Sequence, residues 1–180
     1  MLLRARDSVL LIVDVQQRLF PAIHGGEQAL ERIRFLMQAA AKLDIPILVT
    51  EHYSKGLGHS VESVLELAPP ESVIEKIYFS APREPEFAER ISRLERNQIV
   101  VCGCETHVCV LQSAMVLAEK GYHTSVVADA VGSRRAEDKH AALSRMQANG
   151  LEIPTSEMVV FEWLERGGTD AFRSVIPLIK

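Results

Sequence analysis

The chain has 180 residues and a mass of 20.0 kDa, a size that suits a single domain over 1–180. With 47% hydrophobic and 24% charged residues it has the balance of a globular protein, which excludes a disordered or collagen-like chain. The 20 Lys+Arg and 24 Asp+Glu leave a formal charge of −4 with no long run of either sign, so a nucleic-acid or membrane surface is not expected. Three cysteines, Cys102, Cys104 and Cys109, lie close together. An odd, clustered set is no disulfide framework and points to a reducing, cytoplasmic setting. The apolar run that begins at Val9 is broken by Asp14, too early for a signal peptide or a membrane span.

Short aliphatic runs alternate with longer amphipathic stretches. Strands are expected at 8–13, 46–50, 73–77, 98–102 and 123–128, with a weaker sixth at 158–161. Most are apolar at consecutive positions, the pattern of a strand buried on both faces. Helices are expected at 27–43, 86–95, 106–120, 136–149 and 169–176. In the first of these, Leu30, Ile33, Leu36, Met37 and Ala40 share one helical face. The alternation predicts an α/β fold: a three-layer α-β-α sandwich around a mostly parallel, doubly wound sheet of about six strands. The segment 51–70 is the one long irregular region, with a short helix expected near 61–67. Its Gly56-Leu57-Gly58 lacks the third glycine of a dinucleotide fingerprint.

In such sheets ligands bind beyond the carboxyl ends of the strands. Asp14 closes the first predicted strand, Glu51 and His52 follow the second, Lys76 lies near the end of the third, and Asp129 closes the fifth. Each has an ordinary structural use as a cap or a snorkelling side chain. Cys109 stands three residues after Thr106, a predicted N-cap, and so falls in the first turn of the 106–120 helix. Helix-terminal N–H groups favour a thiolate there, with Lys76 as the candidate cation and Asp14 as the candidate base. Spacing alone leaves two readings open, a nucleophile or a small buried hydrophobe. Cys102, Cys104, His107 and Cys109 also offer four zinc-type ligands, but no second separated pair accompanies them.

The stretch Gly103-Cys104-Glu105-Thr106-His107-Val108-Cys109-Val110 resembles the isochorismatase-like cysteine hydrolases. So do Leu11-Ile12-Val13-Asp14-Val15-Gln16, Glu75-Lys76 with Phe79-Ser80-Ala81, and Val127-Ala128-Asp129-Ala130. The resemblance spans nearly the whole chain. Thr50-Glu51-His52-Tyr53, Gly56-Leu57-Gly58 and Thr155-Ser156-Glu157 are similar to the small isochorismatase domain-containing proteins of that family.

The resemblance implies a catalytic triad of Asp14, Lys76 and Cys109 that cleaves a small amide or related C–N bond through a thioester. It also implies an oxyanion site at the N–H groups of Glu105 and Cys109, a cis peptide at Cys104–Glu105, and a homo-oligomer. It implies no cofactor. Family nicotinamidases bind a metal after the second strand; Glu51, His52 and His59 fall there, but Tyr53 stands where a ligand histidine is expected. Gln17, Phe20, Tyr53 and Phe79 are the candidate contacts for a small-molecule substrate, from their nearness in sequence to Asp14, Glu51 and Lys76. Two other functions stay open: a non-catalytic scaffold on the same fold, and vinyl-ether hydrolysis of the isochorismatase type, which relies on the aspartate without a cysteine.

Overall fold

The computed structural model describes residues 1–179. Among them five strands form one sheet: β1 (Ser8–Val13), β2 (Ile47–His52), β3 (Val73–Lys76), β4 (Gln98–Cys104) and β5 (His123–Gly132). Their spatial order is β3-β2-β1-β4-β5, and every neighbouring pair is parallel. β1 and β4 are buried at every position, as their unbroken apolar runs require. The helices are α1 (Gly26–Lys42), α2 (Ser54–Leu57), α3 (Glu62–Leu65), α4 (Pro85–Arg93), α5 (Leu111–Glu119), α6 (Ala136–Ala148), α7 (Ser156–Leu164) and α8 (Asp170–Val175). α1 packs with α7 and α8 as one layer, and α5 packs with α6 in the other. The expected doubly wound sandwich is the observed architecture.

The sixth strand expected at 158–161 is instead part of α7. Thr155 caps that helix, its Oγ1 accepting the Met158 N–H at 3.4 Å. Val159, Val160, Trp163 and Leu164 are then buried along one helical face. Packing has overridden the strand preference of a valine pair.

Strand order reverses about β1, so the crevice between the carboxyl ends of β1 and β4 is the switch point of the sheet. Gly103 makes it a close one. It pairs with Val13, and a Cβ placed on it would lie 2.1 Å from the Val13 carbonyl oxygen. Its φ of +129 also belongs to glycine. On its other side β4 loses register with β5, from Val101↔Val126 to Gly103↔Val131. β5 therefore runs past the expected boundary at 128, and the end of β4 is steered onto the residue preceding Asp14.

Candidate active site

Asp14 is the first residue beyond β1, with φ 52, a left-handed turn that aspartate tolerates better than a branched side chain. Its N–H donates to the Thr50 carbonyl at 3.1 Å, and its Oδ1 accepts the Thr50 hydroxyl at 2.7 Å. Lys76 ends β3, two strands and therefore roughly 10 Å away across the sheet. Its long side chain spans that gap past the end of β2, and Nζ donates to Asp14 Oδ2 at 2.7 Å. The carbonyls of Tyr78 and Phe79, each 3.3 Å away, take its other protons. All three ammonium donors are thus engaged. The two side chains are buried, Lys76 at 0% and Asp14 at 1% exposure.

Cys109 lies in a π-helical turn, Thr106–Val110, that leads into α5. The Asp14 carboxylate and the Lys76 ammonium both lie close enough to act on its thiol. Burial pushes the thiol up from its ordinary range, the Asp14 carboxylate pushes it further, and Lys76 pulls the other way without winning. Burial and Asp14 thus both oppose the thiolate expected from a helix terminus and a cation. Lys76 is already paired with Asp14, and the net push on Cys109 favours a thiol proton beside a carboxylate able to accept it.

The turn that carries Cys109 is fixed from outside. Glu105 has φ 58, and its carboxylate accepts the Arg134 backbone N–H at 3.3 Å and Nε at 3.1 Å. The Glu105 N–H itself donates to no carbonyl among the described residues. Thr106 is not the N-cap: Glu105 occupies that place, and the buried Thr106 Oγ1 has no partner among the described residues. The expected cis peptide at Cys104–Glu105 is absent, all described peptides being trans.

The other candidates divide. Tyr53 donates its N–H to the Lys76 carbonyl at 3.0 Å and is 52% exposed, much as Phe79 is at 50%. His52 tilts its ring against Phe79, centroids 5.0 Å apart, and burial and Lys76 lower its pKa. His52 and Phe79 thus pack together near the lysine, while the Tyr53 ring lies against Gly56. Gln17 lies along Gly58, and Phe20 packs on Gly26 at the start of α1; neither side chain hydrogen-bonds the triad among the described residues. Glu51 is spent on the loop, accepting the Ser60 N–H at 2.7 Å and facing His59 Nδ1 at 2.9 Å. His52 does not join them, and no three His, Cys, Asp or Glu side chains among the described residues gather as a metal site. Cys102, Cys104, His107 and Cys109 do not gather as a zinc site among the described residues either, and His107 Nδ1 faces Ser133 Oγ at 3.0 Å. Sequence reading missed Thr50 and Arg134. Thr50 had a signal, since it precedes Glu51 at a predicted strand end, whereas Arg134 meets Glu105 only through the register jump in β5.

Residues 8–158 match the Isochorismatase domain. The chain belongs to the isochorismatase family. Isochorismatase domain-containing protein 2 of Xenopus laevis is 35% identical over 176 residues, covering 97% of this chain and 84% of that protein. A solved structure described as MAR1 ribonuclease from Caenorhabditis elegans superposes with a TM-score of 0.94 at 32% identity, over 99% of this chain and 92% of that one. The YcaC gene product of Escherichia coli, described as an octameric hydrolase of unknown specificity, shares the fold. It superposes with a TM-score of 0.94 at 23% identity, over 99% of this chain and 89% of that one. This isochorismatase-family chain thus has a parallel α/β sandwich, and none of its described helices is long and apolar enough to cross a membrane.

Proposed function

We propose that this chain is a single-domain cysteine hydrolase that cleaves small amides or related C–N bonds through a thioester, with Asp14, Lys76 and Cys109 as its triad. The observation that carries the reading is the buried 2.7 Å pair of Lys76 and Asp14 set against the Cys109 thiol at the switch point. As sulfur attacks the carbonyl carbon, its proton passes to Asp14, and the tetrahedral oxyanion is met by the N–H groups of Glu105 and Cys109. Asp14 then gives that proton to the departing amine, the C–N bond breaks, and the thioester remains. Water loses a proton to Asp14, attacks the thioester, and releases the acid while sulfur regains its hydrogen. Lys76 keeps the carboxylate paired throughout and fixes its direction.

The packed rings of His52 and Phe79 supply flat apolar walls for the acyl group; Tyr53, Gln17 and Phe20 remain outer contacts. A scaffold has no use for a buried ion pair beside a thiol, because removing both charges is often neutral or stabilising. Vinyl-ether hydrolysis leaves Cys109 without a task. RNA cleavage, the activity named for the nematode structure, is disfavoured by a charge of −4. The octameric relative and the exposed Tyr53, Ile77, Tyr78 and Phe79 support a homo-oligomer, and three unpaired cysteines support a cytoplasmic setting. The deciding experiment incubates the protein with a panel of small primary amides and looks for ammonia together with an acyl adduct on Cys109 by intact mass. Ammonia release that persists without Cys109 overturns the reading.

A further inference from the structure

We infer that Thr50 is a positioning residue for the catalytic carboxylate, an inference that rests on the hydrolase reading above. Thr50 is fully buried in β2 and pairs in register with Val13. It grips Asp14 twice, through its carbonyl on the Asp14 N–H at 3.1 Å and its hydroxyl on Oδ1 at 2.7 Å. Lys76 holds Oδ2 from the opposite edge. Pinned on both oxygens, the carboxylate keeps a fixed plane relative to Cys109. Without the hydroxyl, a buried Oδ1 loses its donor, and the group is free to turn both oxygens toward the Lys76 ammonium. That rotation carries the proton acceptor away from sulfur. Thr50 acts only through Asp14.

The test uses acrylamide as the probe and the intact protein at neutral pH, with the adduct on Cys109 followed by mass. In this addition the S–C bond forms at the β-carbon while the C=C π pair shifts to the α-carbon. The thiol proton goes to Asp14 and from it to that α-carbon. Thr50→Val is nearly isosteric and is expected to slow adduct formation about 10-fold, inside the roughly 100-fold that a 1 Å misplacement can cost. Thr50→Ser is expected to restore the rate, and melting curves report whether each variant is folded. Should Thr50→Val melt early, Thr50→Ala against Thr50→Ser makes the same comparison. Asp14→Asn runs in parallel. Slow Asp14→Asn with an unimpaired Thr50→Val overturns the role of Thr50 alone, as does a serine variant no faster than the valine one. An Asp14→Asn protein that reacts like wild type overturns the hydrolase reading and this inference with it.

Discussion

Lys76 reaches Asp14 from two strands away, and the 2.7 Å contact between them closes over the end of β2. Both side chains are out of water, so neither charge survives comfortably without the other. Lys76→Met is expected to cost about 3–5 kcal/mol of folding stability, the range for breaking a buried pair. Adding Asp14→Asn is expected to return part of that loss. Urea unfolding of the two single variants and the double variant measures it; strictly additive losses contradict the pairing.

Cys109→Ala is expected to abolish turnover while leaving the protein folded. The side chain is small and sits at 5% exposure, so the cavity it leaves costs on the order of 1 kcal/mol. Amide hydrolysis and thermal unfolding, measured on the same preparation, separate the two effects. Residual turnover at the wild-type level sinks the nucleophile assignment.

The pH dependence of Cys109 reactivity has a definite sign. Burial and the Asp14 carboxylate both favour the protonated thiol, while Lys76 favours the thiolate. The rate of reaction with acrylamide is therefore expected to stay flat through neutral pH and to climb only above the ordinary thiol range of about 8.5. Lys76→Met removes the single influence that lowers the thiol, so its climb moves to higher pH. A titration step below that ordinary range, or a downward move in the methionine variant, contradicts the assignment.

Gly103→Ala places a methyl group 2.1 Å from the Val13 oxygen. Overpacking and the positive φ act together there, for about 3 kcal/mol or more of lost stability. Because Val13 precedes Asp14, reactivity at Cys109 is expected to fall even in the fraction that stays folded. A variant that melts and reacts like wild type contradicts the close approach.

Much of the architecture was legible because strands buried on both faces read as unbroken aliphatic runs, and because Leu30, Ile33 and Met37 keep helical time. The failure at 158–161 came from local propensity: Val159 and Val160 favour a strand, but Thr155 and the burial of Trp163 commit the segment to a helix. At the candidate site, residue types and order sufficed to nominate Asp14, Lys76 and Cys109. The direction in which its surroundings push the Cys109 thiol was not legible, since it depends on burial and on the pairing of Lys76 with Asp14. Arg134 was hidden, because it meets Glu105 across a strand register that the linear sequence does not display; Thr50 was only half hidden, its place at a strand end being legible but its hydroxyl contact with Asp14 not.

The three groups that meet at the switch point arrive from β1, β3 and the turn after β4, with 62 residues separating Asp14 from Lys76 alone. No fragment of the chain holds them all near one another before the parallel ladders have zipped. Chemistry at a single sulfur is consequently a gauge of global assembly: during refolding, base-assisted labelling of Cys109 should lag behind helix formation and emerge only with the finished sheet.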